Sequence, residues 1–163
     1  MNHEVFSLRP ATLEDLSGVV TIEKQVHVAP WTEEHFRLEL EKPYSHFLVL
    51  TDDETDTLVA GYIVCWGILE EYQILNLATA VEYRGLGFAK EMIQKIISLA
   101  CRAGVQRIVL DVRKTNSPAI QLYQQMNFNI IHVRKAFYSD GEDGYHMSLI
   151  LNGKGLSDEI AGS

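Results

Sequence analysis

Cysteine is scarce in this chain: there are two, Cys65 and Cys101. Both lie in apolar stretches without ligand-like spacing, so neither a disulfide framework nor a zinc site is expected. Basic residues are outnumbered, with 14 Lys and Arg against 22 Asp and Glu and a formal net charge of −8. That deficit argues against a broad basic face for nucleic acid. It leaves two readings open, an acidic surface that favours a cationic substrate or charge that merely maintains solubility. Long apolar runs are missing too. No stretch approaches the roughly 20 apolar residues of a membrane span, and residues 1–10 lack a basic region followed by an apolar one. A cytoplasmic protein without membrane or nucleic-acid partners is therefore expected. Repeats, low-complexity segments and interdomain linkers are absent, and the histidines (His3, His27, His35, His46, His132 and His146) show no pairing motif, so none is assigned to chemistry.

What is there reads as ordinary globular sequence, 163 residues long, 47% hydrophobic and 22% charged. One domain over 1–151 is expected, with a loose tail from Asn152. Phe6 to Arg9 reads as a strand. Thr12 and Asp15 form an approximate capping box for a helix running to about Glu23, and Thr32 caps a second helix that Pro43 closes. Trp31 and Phe36 flank that second cap as a hydrophobic staple. Strands are expected over 46–51, 58–66, 73–81, 107–112, 128–137 and 145–151. An amphipathic helix runs from Phe88 toward Gly104, and Ser117 with Pro118 caps a short helix to about Met126. The order predicts a mixed α/β fold in one layered structure.

The sharpest feature is Arg84-Gly85-Leu86-Gly87-Phe88-Ala89 between a strand and an amphipathic helix. Small residues at 85, 87 and 89 let backbone approach a ligand, and the helix start supplies unpaired N–H groups and a positive dipole end, which suits phosphate. A plain strand-to-helix turn is the competing reading. The pattern is neither a P-loop nor a dinucleotide fingerprint.

Arg84-x-x-Gly87-x-Ala89 resembles the pyrophosphate loop of the GNAT acetyltransferases, and Asn76-Leu77-Ala78-Thr79 resembles that family's central strand. Several segments resemble the branch that acetylates ribosomal-protein alanine and its protein N-terminal relatives: Ala29-Pro30-Trp31-Thr32, Asp111-Val112-Arg113, Asn116-Ser117-Pro118-Ala119, Leu122-Tyr123, and Arg134 to Tyr138. The resemblance implies a mostly antiparallel mixed sheet, splayed between the strand at 73–81 and that at 107–112, with helices on both faces. It implies acetyl-CoA as co-substrate, its pyrophosphate on the amides of Gly85, Leu86, Gly87, Phe88, Ala89 and Lys90, with Arg84 at the entrance. The pantetheine arm would pair with Leu77, Ala78 and Thr79 as a further strand would, and Asn116 would contact the cofactor unless it serves only turn chemistry.

Acetyl transfer requires that an ammonium lose a proton and that the departing thiolate gain one. The branch places a glutamate base where this chain has Asp111, one methylene shorter, and a tyrosine acid at Tyr123. Asp111 is otherwise a solvated strand residue or one paired with its neighbour Arg113. Glu70 and Glu71 are backup bases or exposed loop acids. Trp31 and Tyr138 are the expected walls of a peptide groove, although the staple alone explains Trp31. The acceptor implied is a protein N-terminal amine, with a ribosomal protein as partner. Two alternatives remain, transfer to lysine side chains or small amines, and a non-catalytic acyl-CoA-binding module that has lost its base.

Overall fold

A computed structural model describes residues 5–151, so His3 and the tail expected from Asn152 lie outside the described residues. Among the described residues, seven strands and four α-helices make a mixed α/β fold, as the sequence predicts. The described residues divide into two compact units, 5–66 with 76–95, and 67–75 with 96–151. Strand β4 (Glu71–Thr79) is shared between them.

In the first unit, β1 (Phe6–Pro10) pairs antiparallel with β2 (Ser45–Asp52), which pairs antiparallel with β3 (Val59–Ile68). The second half of β4 lies next in order. A Cβ on Gly61 of β3 would sit 2.9 Å from Ala78 O and 3.0 Å from the Met92 methyl, so only glycine lets these segments approach so closely. Helices α1 (Leu16–Val26) and α2 (Glu33–Glu41) follow β1. The box at Thr12 and Asp15 forms, but it opens a 3₁₀ turn over Leu13–Asp15 before α1 begins. Arg9 grips the buried Asp15 with two bonds of 2.7 and 2.8 Å and reaches Asp56 at 2.7 Å, tying β1, this turn and the β2–β3 loop together.

The second unit carries the first half of β4, parallel to β5 (Arg107–Arg113) from Glu71↔Arg107 to Ile74↔Leu110. That ladder stops at Ile74, although each strand continues. β5 pairs antiparallel with β7 (Gly144–Ile150), and β7 with β6 (Asn129–Arg134), which carries an irregularity between Ile130 and His132. Helix α3 (Phe88–Arg102) ends in this unit on Gly104, at φ 72°, with Val105 N bonded to Ala100 O and Gly104 N to Cys101 O. The same double closure ends α4 (Ser117–Gln125), where Asn127 takes φ 72° and Phe128 N bonds Tyr123 O at 3.0 Å.

Several expected boundaries move, those of β4, β6 and α4 with consequences for the side chains there. β4 begins at Glu71, so Glu71 is a strand residue, 2.9 Å from Arg107 Nε, rather than a loop acid, and Val81–Tyr83 is a 3₁₀ turn. β6 stops at Arg134 instead of 137, because Ala136 turns to φ 48° and its amide bonds Asp143. The cap of α4 is Asn116, one residue before the expected Ser117.

Candidate active site

In the first unit the loop after β4 has the build the sequence suggests. Gly85 and Gly87 both take the left-handed region, φ 79° and 80°. Nothing lies within 4 Å of a Cβ at either position, so backbone conformation rather than space demands glycine there. Among the described residues, none of the amides from Gly85 to Lys90 donates a hydrogen bond, and the first engaged amide is that of Glu91, to Gly87 O at 3.0 Å. The loop is anchored at its flanks by rings, with Phe6 5.2 Å from Tyr83 and 5.1 Å from Phe88. Arg84, Leu86 and Lys90 are exposed. A run of unpaired donors at the start of a 15-residue helix has the chemistry that suits an anion.

Upstream on β4, Ala78 is buried, and Leu77 and Thr79 are half-buried. The Thr79 hydroxyl is buried with no described partner, a polar atom that a ligand amide would satisfy. Asn76 donates to Glu23 Oε2 at 2.9 Å. Glu23, 1% exposed, also accepts from the Tyr62 hydroxyl and from the Trp31 amide at 3.0 Å. Burial, then the adjacent Glu23 carboxylate, pushes the Tyr62 hydroxyl far above its ordinary value, so it stays protonated and donates. The Trp31 ring lies 5.2 Å from Phe36, so the staple is real. The sequence did not single out Glu23, because its partners come from β3, β4 and the α1–α2 connection.

The second unit holds the remaining expected residues. Tyr123 on α4 is buried, its ring 5.7 Å from Phe128. Burial, then nearby Tyr138, raises its hydroxyl well above the ordinary tyrosine value, and no described residue accepts from it. Tyr138 sits in the turn after β6, its ring 4.1 Å beneath the Arg113 guanidinium. Its hydroxyl is pushed up to about 12, by burial first and then by Asp111. Asn116 Oδ1 accepts from Ala119 N at 3.3 Å, the turn chemistry considered above, and its side-chain amide has no described partner.

Asp111, half-buried on β5, is not paired with Arg113, which binds Asp140 and Glu142 at 2.8 and 2.9 Å. Its Oδ1 instead lies 2.8 Å from His146 Nδ1 on β7 and 2.8 Å from Arg134 Nε on β6. The guanidinium is close enough for ion pairing, though its Nε–H is not aimed to make a hydrogen bond. His132 stacks on His146 at 4.9 Å. Neither histidine belongs to a motif legible in the sequence. The signal was there in principle, since pairing the last strands places His146 beside Asp111 and His132 beside His146, but the β6 irregularity sets that register.

Residues 16–128 match the acetyltransferase (GNAT) family. The chain is 35% identical over 148 residues to a Bacillus subtilis (strain 168) protein named, provisionally, as a ribosomal protein bS18-alanine N-acetyltransferase, covering 90% of this chain and 96% of that one. The ribosomal-protein-S18-alanine N-acetyltransferase from Escherichia coli has a similar fold, with a TM-score of 0.81 at 26% identity over 91% of this chain and 95% of that one. Arabidopsis thaliana NAA60, solved in complex with acetyl-CoA, shares the fold at a TM-score of 0.82 and 21% identity, covering 91% of this chain and 100% of that one. The family match spans most of the chain and contains the glycine loop, the Asp111 strand and the Tyr123 helix. The chain belongs to the GNAT acetyltransferase family and is an N-acetyltransferase.

Proposed function

We propose that this protein transfers the acetyl group of acetyl-CoA to the N-terminal α-amine of a protein, a ribosomal protein beginning with alanine. The observation that carries the reading is the row of unengaged amides from Gly85 to Lys90, whose donors and dipole suit a diphosphate. Arg84 adds charge at the entrance. The orphaned Thr79 hydroxyl and the backbone of Leu77 and Ala78 suit the amides of a pantetheine arm. Asn116 offers its unpartnered side-chain amide as a further cofactor contact. The acceptor is argued from the relatives named above and from Trp31 and Tyr138, aromatic residues suited to a peptide backbone.

Chemistry follows from the second unit. The ammonium of the acceptor must lose a proton before nitrogen can attack the thioester carbon, and Asp111 provides the basic side of that exchange. As the carbon–sulfur bond breaks, Tyr123 donates its proton to sulfur. Its raised hydroxyl value keeps it protonated at neutral pH, as an acid must be. Purified protein incubated with acetyl-CoA and short peptides bearing ribosomal-protein N-termini tests the reading, with thiol release giving rate and peptide mass spectrometry giving the site. Acetylation of the α-amine is expected. Acetylation confined to lysine side chains or free small amines would defeat it.

A further inference from the structure

We infer that the basic atom of this enzyme is His146 Nε2, with Asp111 as the carboxylate that orients the ring; the inference rests on the acetyl-transfer reading above. Sequence register brings the pieces together: Asp111 on β5 is directly opposite His146 on β7, which is directly opposite His132 on β6. Their side chains therefore project from one face of three adjacent strands.

The contact between Asp111 Oδ1 and His146 Nδ1, 2.8 Å, decides the tautomer. Two lone pairs facing each other at that distance would repel, so Nδ1 carries a proton and donates it to the carboxylate. Arg134 Nη2, 3.2 Å from the same nitrogen, is then an adjacent cation and not its hydrogen-bond donor. With Nδ1 protonated, the lone pair of the neutral ring sits on Nε2. No described residue hydrogen-bonds Nε2, and that nitrogen is not sealed from solvent. One nitrogen anchored on a carboxylate and the other open is the arrangement that makes imidazole a general base.

Asp111 is poorly placed to do the work alone. Its Oδ1 already receives the His146 proton and lies against Arg134. Its side chain is also one methylene shorter than the glutamate that the family resemblance implies there. The charged and titratable groups around it are Asp111 and Arg113 on β5, His132 and Arg134 on β6, and Tyr138 near Asp111. Tyr138 in turn stands near Tyr123, so base and acid belong to one cluster of the second unit.

Protons balance as follows. The acceptor ammonium gives one proton to Nε2, forming an imidazolium held by Asp111, and the imidazolium later releases it to solvent. Nitrogen bonds the thioester carbon, the carbon–sulfur bond breaks, and sulfur takes the Tyr123 proton. The second proton lost from nitrogen returns to Tyr123, directly or through water.

The test compares pH profiles of kcat/KM for peptide acetylation in the wild type and His146→Gln, with calorimetric binding of acetyl-CoA on each. His146→Gln is expected to lower kcat/KM by about a hundredfold and to abolish the limb in which rate rises with pH, while acetyl-CoA binding is retained. Adding Asp111→Asn to that variant is expected to cost little more, because the two act as a unit. In the folded wild type, nitrogen NMR of His146 at alkaline pH is expected to show the Nδ1–H tautomer. A His146→Gln enzyme within a few fold of wild type with its limb intact, or an Nε2–H tautomer, overturns this inference alone. A wild type that binds acetyl-CoA but acetylates no peptide α-amine overturns the functional reading and the inference with it.

Discussion

Single side chains here do work that their neighbours define. Tyr123 is a buried phenol whose hydroxyl finds no described acceptor, which is wasteful for packing and useful for handing a proton to sulfur. Tyr123→Phe keeps the ring against Phe128 and removes only that proton. It is expected to lower kcat on the order of 10²-fold with peptide KM little changed, read by thiol release at saturating acetyl-CoA. A loss smaller than a few fold would take Tyr123 out of the mechanism. Arg9 is a second such residue, because among the described residues it is the cation that neutralises the buried Asp15. Arg9→Ala leaves that carboxylate with its Thr12 hydrogen bonds but without its cation, and is expected to cost about 3 kcal/mol, measured by urea unfolding at neutral pH.

At the scale of elements, the loop from Arg84 to Ala89 was legible because its chemistry is local: glycines before an amphipathic helix demand left-handed backbone whatever surrounds them. The Trp31–Phe36 staple was legible for the same reason. Gly87→Ala forces a side chain onto φ 80° and is expected to cost about 1 kcal/mol. If the loop cradles the diphosphate, the same change weakens acetyl-CoA association about tenfold in calorimetry, since displaced amides lose aim. What the sequence did not disclose depends on distant partners. β6 reads as continuous β-rich sequence through Phe137, yet the Asp143 carboxylate captures the Ala136 amide and turns the chain. The cluster of Asp111, His146, His132 and Arg134 needs a strand register that no single segment encodes.

For the molecule as a whole, the acidic excess predicts how it meets acid. Burial raises Asp15 and Glu39, but hydrogen bonds from Arg9 and Thr12, and from Lys42, Trp66 and Ser45, outweigh it and hold both carboxyls below their ordinary values. Asp52, bonded by the Thr55 hydroxyl and amide and by the Leu58 amide, falls to about 2. A carboxyl depressed in the folded state contributes stability that is complete above its unfolded value of about 4 and is lost as pH falls through the folded one. Urea midpoints are therefore expected to hold steady down to about pH 5 and to fall steeply toward about pH 2. A midpoint that rises on acidification would contradict this.

Glu23 carries a lesson for anyone building chimeras. Its carboxylate joins the connection after α1 to β3 and β4 through Trp31, Tyr62 and Asn76. Grafting a relative's residues 27–35 onto this scaffold would leave a buried anion short of a donor unless the graft also presents an amide to it. Exchangeable modules in this protein are thus bounded by shared protons rather than by helix ends, and positions 23, 62 and 76 would have to travel with the transplanted segment.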